Sequence, residues 1–229
     1  MKDKVLFVVT SHGELGNSGR KTGYFLSEVT HPWSVLSEKY DIDVVSPKGG
    51  RPPVDGFNLE DPINRKYWDD PEWQDKMSAT MTPEDVDPGK YKAIFYAGGH
   101  GAMFDFPDNK KLAEIAEAIY NKGGFVAAVC HGPAGLINIM LPDGTNLVKD
   151  KKFDCFTNAE EDANGTTKYM PFLLQTALQD KGGIFDGAAP WSDHVVRDGR
   201  LITGQNPMSA LSLGKTLLSA LEEQSFHTS

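Results

Sequence analysis

The chain has 229 residues, 39% of them hydrophobic and 24% charged, with a formal net charge of −9. This is the composition of a folded globular protein of one large α/β domain, residues 1–229, and it excludes disordered and fibrous classes. The acidic balance speaks against a nucleic-acid partner, because phosphate binding calls for concentrated Lys and Arg.

The apolar run after the opening MKDK is only about five residues long, which is too short for a signal sequence or a membrane span. It predicts a first buried strand, VLFVVTS (5–11), and no membrane partner. With only two cysteines, Cys130 and Cys155, and no secretion signal, a reduced cytoplasmic setting is expected and Cys155 is read as structural. A helix is predicted over 22–38 and a strand at DIDVVSP (41–47). Residues 48–90 then break the rhythm, with six prolines interleaved with Tyr67, Trp68 and Trp73. This segment is too long for a simple connection and reads as an insertion with short helices. It folds over the sheet, enters a subunit contact, or forms a surface excursion that packs down its own aromatics.

The alternation resumes with a strand at AIFYAGG (93–99), a helix over 109–122, a strand at FVAAVC (125–130), and helices over 132–140 and 168–181. A strand at RLITG (200–204) and a closing helix over 206–223, opened by Asn206-Pro207, complete the chain. Apolar strands alternating with helical stretches predict βαβ units: a mostly parallel central sheet with helices on both faces.

FVAAVC running into HGPAGL places Cys130 at the carboxyl end of a central strand, the edge where open α/β sheets bind ligands. A helix N-terminus there would favour the thiolate. The competing reading is an inert buried cysteine. AGGHG (97–101) ends another strand with flexible glycines, and the amides of Gly99 and His131 could form an oxyanion hole beside the sulfur. Glu28, flanked by Phe25, Leu26 and Val29, lies on the first helix. Partial burial there would raise its pKa and keep it protonated, able to donate a hydrogen bond to the sulfur, whereas an isolated helical Glu is otherwise a solvated surface residue. The six histidines show no paired metal spacing in sequence, so no metal is expected.

Taken together and in order, GYFLSEVTHPW, AGGHGAMFDFP, AAVCHGPAGL, CFTNAEED, PWSDHVVRDGRLITGQNP and the closing helix resemble the PfpI superfamily, also named after DJ-one. They are most similar to its branch of chaperone-like glyoxalase III enzymes. The resemblance implies a flavodoxin-like α/β sandwich that commonly forms homodimers, with Cys130 as nucleophile, Glu28 as the protonated acid and His131 as the adjacent general base. An acid should orient His131; by position in CFTNAEED this is Glu161, with Glu160 and Asp162 as neighbours that could take its place. Gly99, His100 and Trp191, and also Trp33, are expected to line the substrate pocket.

The implied reaction is the cofactor-free conversion of a small reactive aldehyde, methylglyoxal, to D-lactate through a Cys130 hemithioacetal, without glutathione. A thiolate is a strong nucleophile for aldehydes, and the proton shuttle needs a group of near-neutral pKa. An amidotransferase would use a distant His such as His194, but Val129 precedes Cys130 and no His-x-Glu pair follows. The remaining alternatives are a holdase chaperone presenting the apolar insertion 51–90, a protein deglycase using the same hemithioacetal chemistry, and a redox sensor oxidised at Cys130.

Overall fold

The computed structural model describes residues 1–228. Strand β1 (Lys4–Val8) leads through a long loop to β2 (Tyr24–Phe25) and α1 (Leu26–Leu36), followed by β3 (Asp41–Val45). The insertion holds β4 (Val54–Asp55), α2 (Pro62–Trp68) and α3 (Pro71–Ser78). Then come β5 (Tyr91–Tyr96), the one-turn α4 (Ala102–Asp105), α5 (Lys110–Asn121) and β6 (Phe125–Val129). The last third contains β7 (Lys152–Phe153), α6 (Asn158–Ala163), α7 (Leu174–Asp180), β8 (Ile184–Phe185), β9 (Val195–Asp198), β10 (Leu201–Gly204) and α8 (Ala210–Thr228).

The main sheet has the order β3-β1-β5-β6-β10-β9, parallel throughout except for the antiparallel edge strand β9. Its inner strands β1, β5, β6 and β10 are buried on both faces, so their apolar runs are nearly continuous. On β1, Val5 and Phe7 join α1, α8 and the insertion, while Leu6 and Val8 join the face covered by α5. Helix α5 packs Leu112, Ile115, Ala116 and Ile119 against that second face, which is the spacing of one helical stripe. Helices α1 and α8 approach closely because Gly214 has no side chain; a Cβ there would press on the Pro32 backbone.

Several elements differ from expectation for identifiable reasons. The stretch 132–140 forms only a 3₁₀ turn, Gly132–Leu136, because Gly132 and Gly135 are seated directly on the Tyr96 carbonyl and ring and favour no α-helix. The helix expected over 168–181 is split at Pro171 into a 3₁₀ turn, Thr167–Tyr169, and α7. Strand β9 was not anticipated, although Asp198-Gly199, with Gly199 at φ 60°, carries the tight-hairpin signal. The insertion folds over the sheet: Tyr67 and Trp73 are buried in the same core as Phe7 and Trp33. Of the large apolar side chains in that segment Phe57 is exposed and the others are buried or half-buried. Among the described residues, no helix is long and apolar enough to cross a membrane.

Candidate active site

From β1 the chain steps outward to β3 in one direction and through β5, β6 and β10 in the other. The order therefore reverses between β1 and β5, and the carboxyl ends of the strands there form the natural ligand crevice. Cys130 directly follows β6 and adopts a left-handed conformation, φ 62°, which a residue with a Cβ rarely takes. Both of its peptide groups are tied down: its amide donates to the Gly204 carbonyl at 3.0 Å, and its carbonyl accepts the Phe156 amide at 2.8 Å. The strain is thus held by neighbouring chain segments.

His131 folds back beside its neighbour, with Nδ1 3.5 Å from Cys130 Sγ. Its Nε2 is 2.6 Å from Glu161 Oε2, and the other Glu161 oxygen meets His100 Nε2 at 3.0 Å and accepts the Thr166 hydroxyl at 2.9 Å. Burial alone would raise the Glu161 pKa, but the charge of His131 and hydrogen bonds from His100 and His131 hold it well below the usual carboxylate range. Burial, reinforced by His100, pushes the His131 pKa down. At neutral pH the carboxylate is therefore ionised and can only accept, so Nε2 of a neutral imidazole carries the proton and Nδ1 presents its lone pair to the sulfur.

Glu28 is fully buried on α1. Its Oε1 accepts the Gly98 amide at 2.8 Å, while Oε2 has no other nitrogen or oxygen partner and the carboxyl stands beside the Cys130 thiol. Burial pushes its pKa up to about 8, so it is protonated at neutral pH. Burial, and then Glu28, also raises the Cys130 thiol well above its ordinary value. This corrects the expectation of a thiolate favoured by a helix N-terminus: the following turn is too short to supply the dipole, and desolvation wins. The resting pair is a neutral thiol facing a neutral base.

The remaining expected residues fall in different places. His100 lies against His131, with ring centroids 4.2 Å apart. Trp191, at φ 67° and 40% exposed, meets Phe156 edge-on at 5.7 Å, and Phe156 in turn lies 4.4 Å from the His131 ring. Gly99 packs against Gly23 and Phe25, whereas the glycine closest to the elbow is Gly98, where a Cβ would strike the Glu28 carboxyl, the Val129 carbonyl and the His131 amide. Sequence reasoning named Gly99 but not its neighbour Gly98, whose amide is taken by Glu28; it also passed over Phe156 and Thr166. The AGGHG motif contained the first signal and CFTN the second, but Thr166 had none.

Trp33 does not line this pocket. It sits about five residues, or roughly 140° of helical rotation, beyond Glu28 and packs on Phe7, Trp73 and Tyr67 instead. Glu160 serves the helix cap and the Trp191 turn, and Asp162 is solvent-facing. His194 pairs with Asp154 at 2.7 Å and leaves Cys130 to His131. Potential ligand atoms of His100, His131 and Glu161 lie within 4.8 Å of one another, a donor set with metal-compatible spacing. It is invisible in the sequence because its members are some thirty residues apart.

A thiol on a strained strand-to-turn elbow, faced by a His–Glu pair and a protonated carboxyl, is a candidate site for cysteine-dependent chemistry on an open α/β sheet. Residues 21–220 match the model of the DJ-1/PfpI family, and the chain belongs to that family. It is 36% identical to Glyoxalase 3 of Candida albicans, with 96% of this chain and 98% of that protein covered. It is 33% identical to the glutathione-independent glyoxalase HSP31 of Saccharomyces cerevisiae over the same shares. Among solved structures, the Rapid Encystment Protein 24 KDa of Francisella tularensis superposes with a TM-score of 0.92 at 40% identity, over 96% of this chain and 99% of that one. The Candida albicans glyoxalase III structure does so with 0.89 at 34% identity, over 95% and 97%.

Proposed function

We propose that this protein is a glutathione-independent, cofactor-independent glyoxalase that converts methylglyoxal and water to D-lactate on one α/β domain. The observation that carries the reading is Cys130 Sγ lying 3.5 Å from the free nitrogen of a neutral His131 whose other nitrogen is locked to Glu161. The near-full-length similarity to glutathione-independent glyoxalases supports it. So does the enclosure: Cys130 is 3% and His131 1% exposed, which suits a small aldehyde better than a glycated protein surface.

In the first step His131 Nδ1 takes the thiol proton as sulfur bonds to the aldehyde carbon, and the proton passes to the aldehyde oxygen, giving a hemithioacetal. The imidazolium formed on the way is stabilised by Glu161, the role of the acid in a nucleophile–base–acid triad. The amides of Gly99 and His131 are the candidate donors to the developing oxyanion, since the Gly98 amide is already committed to Glu28. His131 next removes the hydrogen on C1 as a proton and returns it to C2 through an enediol. This oxidises C1 to a thioester and reduces C2 to an alcohol. Water, activated by the same base, cleaves the thioester, and sulfur recovers its proton. Glu28, holding its proton, donates to the sulfur, and His100 and Trp191 bound the pocket. A homodimer acting in the cytoplasm completes the proposal; light scattering of the purified protein and cell fractionation test those two parts.

The experiment is D-lactate formation from methylglyoxal without glutathione, comparing the unmodified reduced protein with Cys130→Ala and Glu28→Ala. Loss of turnover in both variants is expected. Full turnover in Cys130→Ala would overturn the mechanism, and none in the unmodified protein would overturn the activity.

A further inference from the structure

Glu160 is completely buried, yet among the described residues no Lys, Arg or His pairs with it. Burying a carboxylate without a cation is costly unless every lone-pair direction finds a donor. Here its oxygens divide the work. Oε1 accepts the Thr157 amide at 3.0 Å and hydroxyl at 3.1 Å, closing the capping box at the start of α6. Oε2 accepts the Trp191 amide at 2.9 Å and Asn206 Nδ2 at 2.9 Å. A capping box is satisfied equally by Gln, which has one acceptor oxygen. The second oxygen is what Gln lacks, and it is the one that holds Trp191.

The Trp191 turn needs holding, because Trp191 is one of three non-glycine residues with positive φ among the described residues. Asn206 reinforces the turn by donating to the Ser192 carbonyl at 2.7 Å as well. From Trp191 the contact runs edge-on to Phe156 and from Phe156 to His131. We propose that Glu160 is a positioning residue: its second oxygen pins the Trp191 turn against Phe156 and thereby sets the width of the pocket for the group attached to the keto carbon of a 2-oxoaldehyde. This rests on the glyoxalase reading above and adds the residue that governs which 2-oxoaldehydes fit.

The test compares Glu160→Gln with Thr157→Ala, using methylglyoxal and the bulkier phenylglyoxal. Thr157→Ala removes the cap but leaves the Trp191 tether. Glu160→Gln is expected to raise KM for methylglyoxal about fivefold with kcat within about threefold, and to shift the kcat/KM ratio toward phenylglyoxal about tenfold. Thr157→Ala is expected to lower the melting temperature and leave both kinetic readouts unchanged. Acrylamide quenching of the exposed Trp191, isolated by subtracting the Trp191→Phe protein, is expected to increase in Glu160→Gln alone. Unchanged KM and aldehyde ratio in Glu160→Gln, or the same shifts in Thr157→Ala, would overturn the proposal. If Glu160→Gln does not fold, Trp191→Ala must show the shift toward phenylglyoxal, and an unchanged ratio there overturns it equally. Absence of turnover in the unmodified protein would sink the glyoxalase reading, whereas the quenching comparison would still decide the tether.

Discussion

Two histidine–carboxylate pairs flank the short segment from Asp154 to Phe156. His131 meets Glu161 at 2.6 Å and His194 meets Asp154 at 2.7 Å, both carboxyls being buried. Their similarity ends at the outer atoms. Glu161 is fed by His131, His100 and Thr166 and is held ionised, whereas burial pushes Asp154 up to about 7, only partly offset by His194 and the Cys155 amide. The far nitrogen of His131 faces a thiol, while His194 keeps 29% of its side-chain surface in solvent, and the nearby Cys155 thiol is turned to the Phe156 carbonyl at 3.4 Å. The pair proposed as catalytic therefore differs from the other in two respects: how many donors hold the acid ionised, and what waits on the other side of the ring.

The comparison breaks most visibly in turnover. His131→Ala is expected to lower kcat/KM for methylglyoxal by about 10³-fold or more and His194→Ala by less than about threefold; equal losses would dissolve the distinction. Next in size, Glu161→Gln should cost about 10²-fold in kcat, because the imidazolium loses its counter-charge, while Asp154→Asn leaves kcat near that of the unmodified protein in the same steady-state assay.

A third prediction concerns stability. Glu28 holds its proton in the folded state up to about pH 8 but releases it near 4.5 when unfolded, so the folded form binds more protons between those values. Stability should fall as pH rises through that window and level off above it. Glu28→Gln should lessen this slope, leaving below about pH 7 the part that Asp154 contributes, and unfold at higher denaturant at pH 8, by on the order of 4 kcal/mol, read from urea titrations at pH 5 and 8. A slope unchanged in Glu28→Gln would move its whole origin to Asp154, whose raised pKa acts in the same direction from about 4 to about 7. The smallest effect is at Trp33. Trp33→Phe should lower stability by about 1–2 kcal/mol through lost aromatic packing and leave kcat/KM within about twofold, placing this residue with the core rather than the pocket.

Much of this molecule was readable in the chain. Apolar runs of strand length alternating with helical stretches specify a parallel sheet, because only strands covered on both faces read that way. The junction of FVAAV with Cys130-His131 marks the proposed nucleophile's place at the sheet edge for the same local reason. Tertiary structure alone decided which of three consecutive acids meets His131. Side chains on a helix step by about 100° per residue, so Glu160 points to the Trp191 turn, Glu161 to His131 and Asp162 to solvent, a choice set by how α6 docks. It also decided that Gly98, not Gly99, lies against the elbow, and that the thiol rests protonated. Those outcomes depend on desolvation and on two carboxyls, Glu28 and Glu161, meeting donors brought together from residues 98, 100, 131 and 166. Sequence order encodes local propensity, but the dielectric around a buried group exists only once the chain has closed over it.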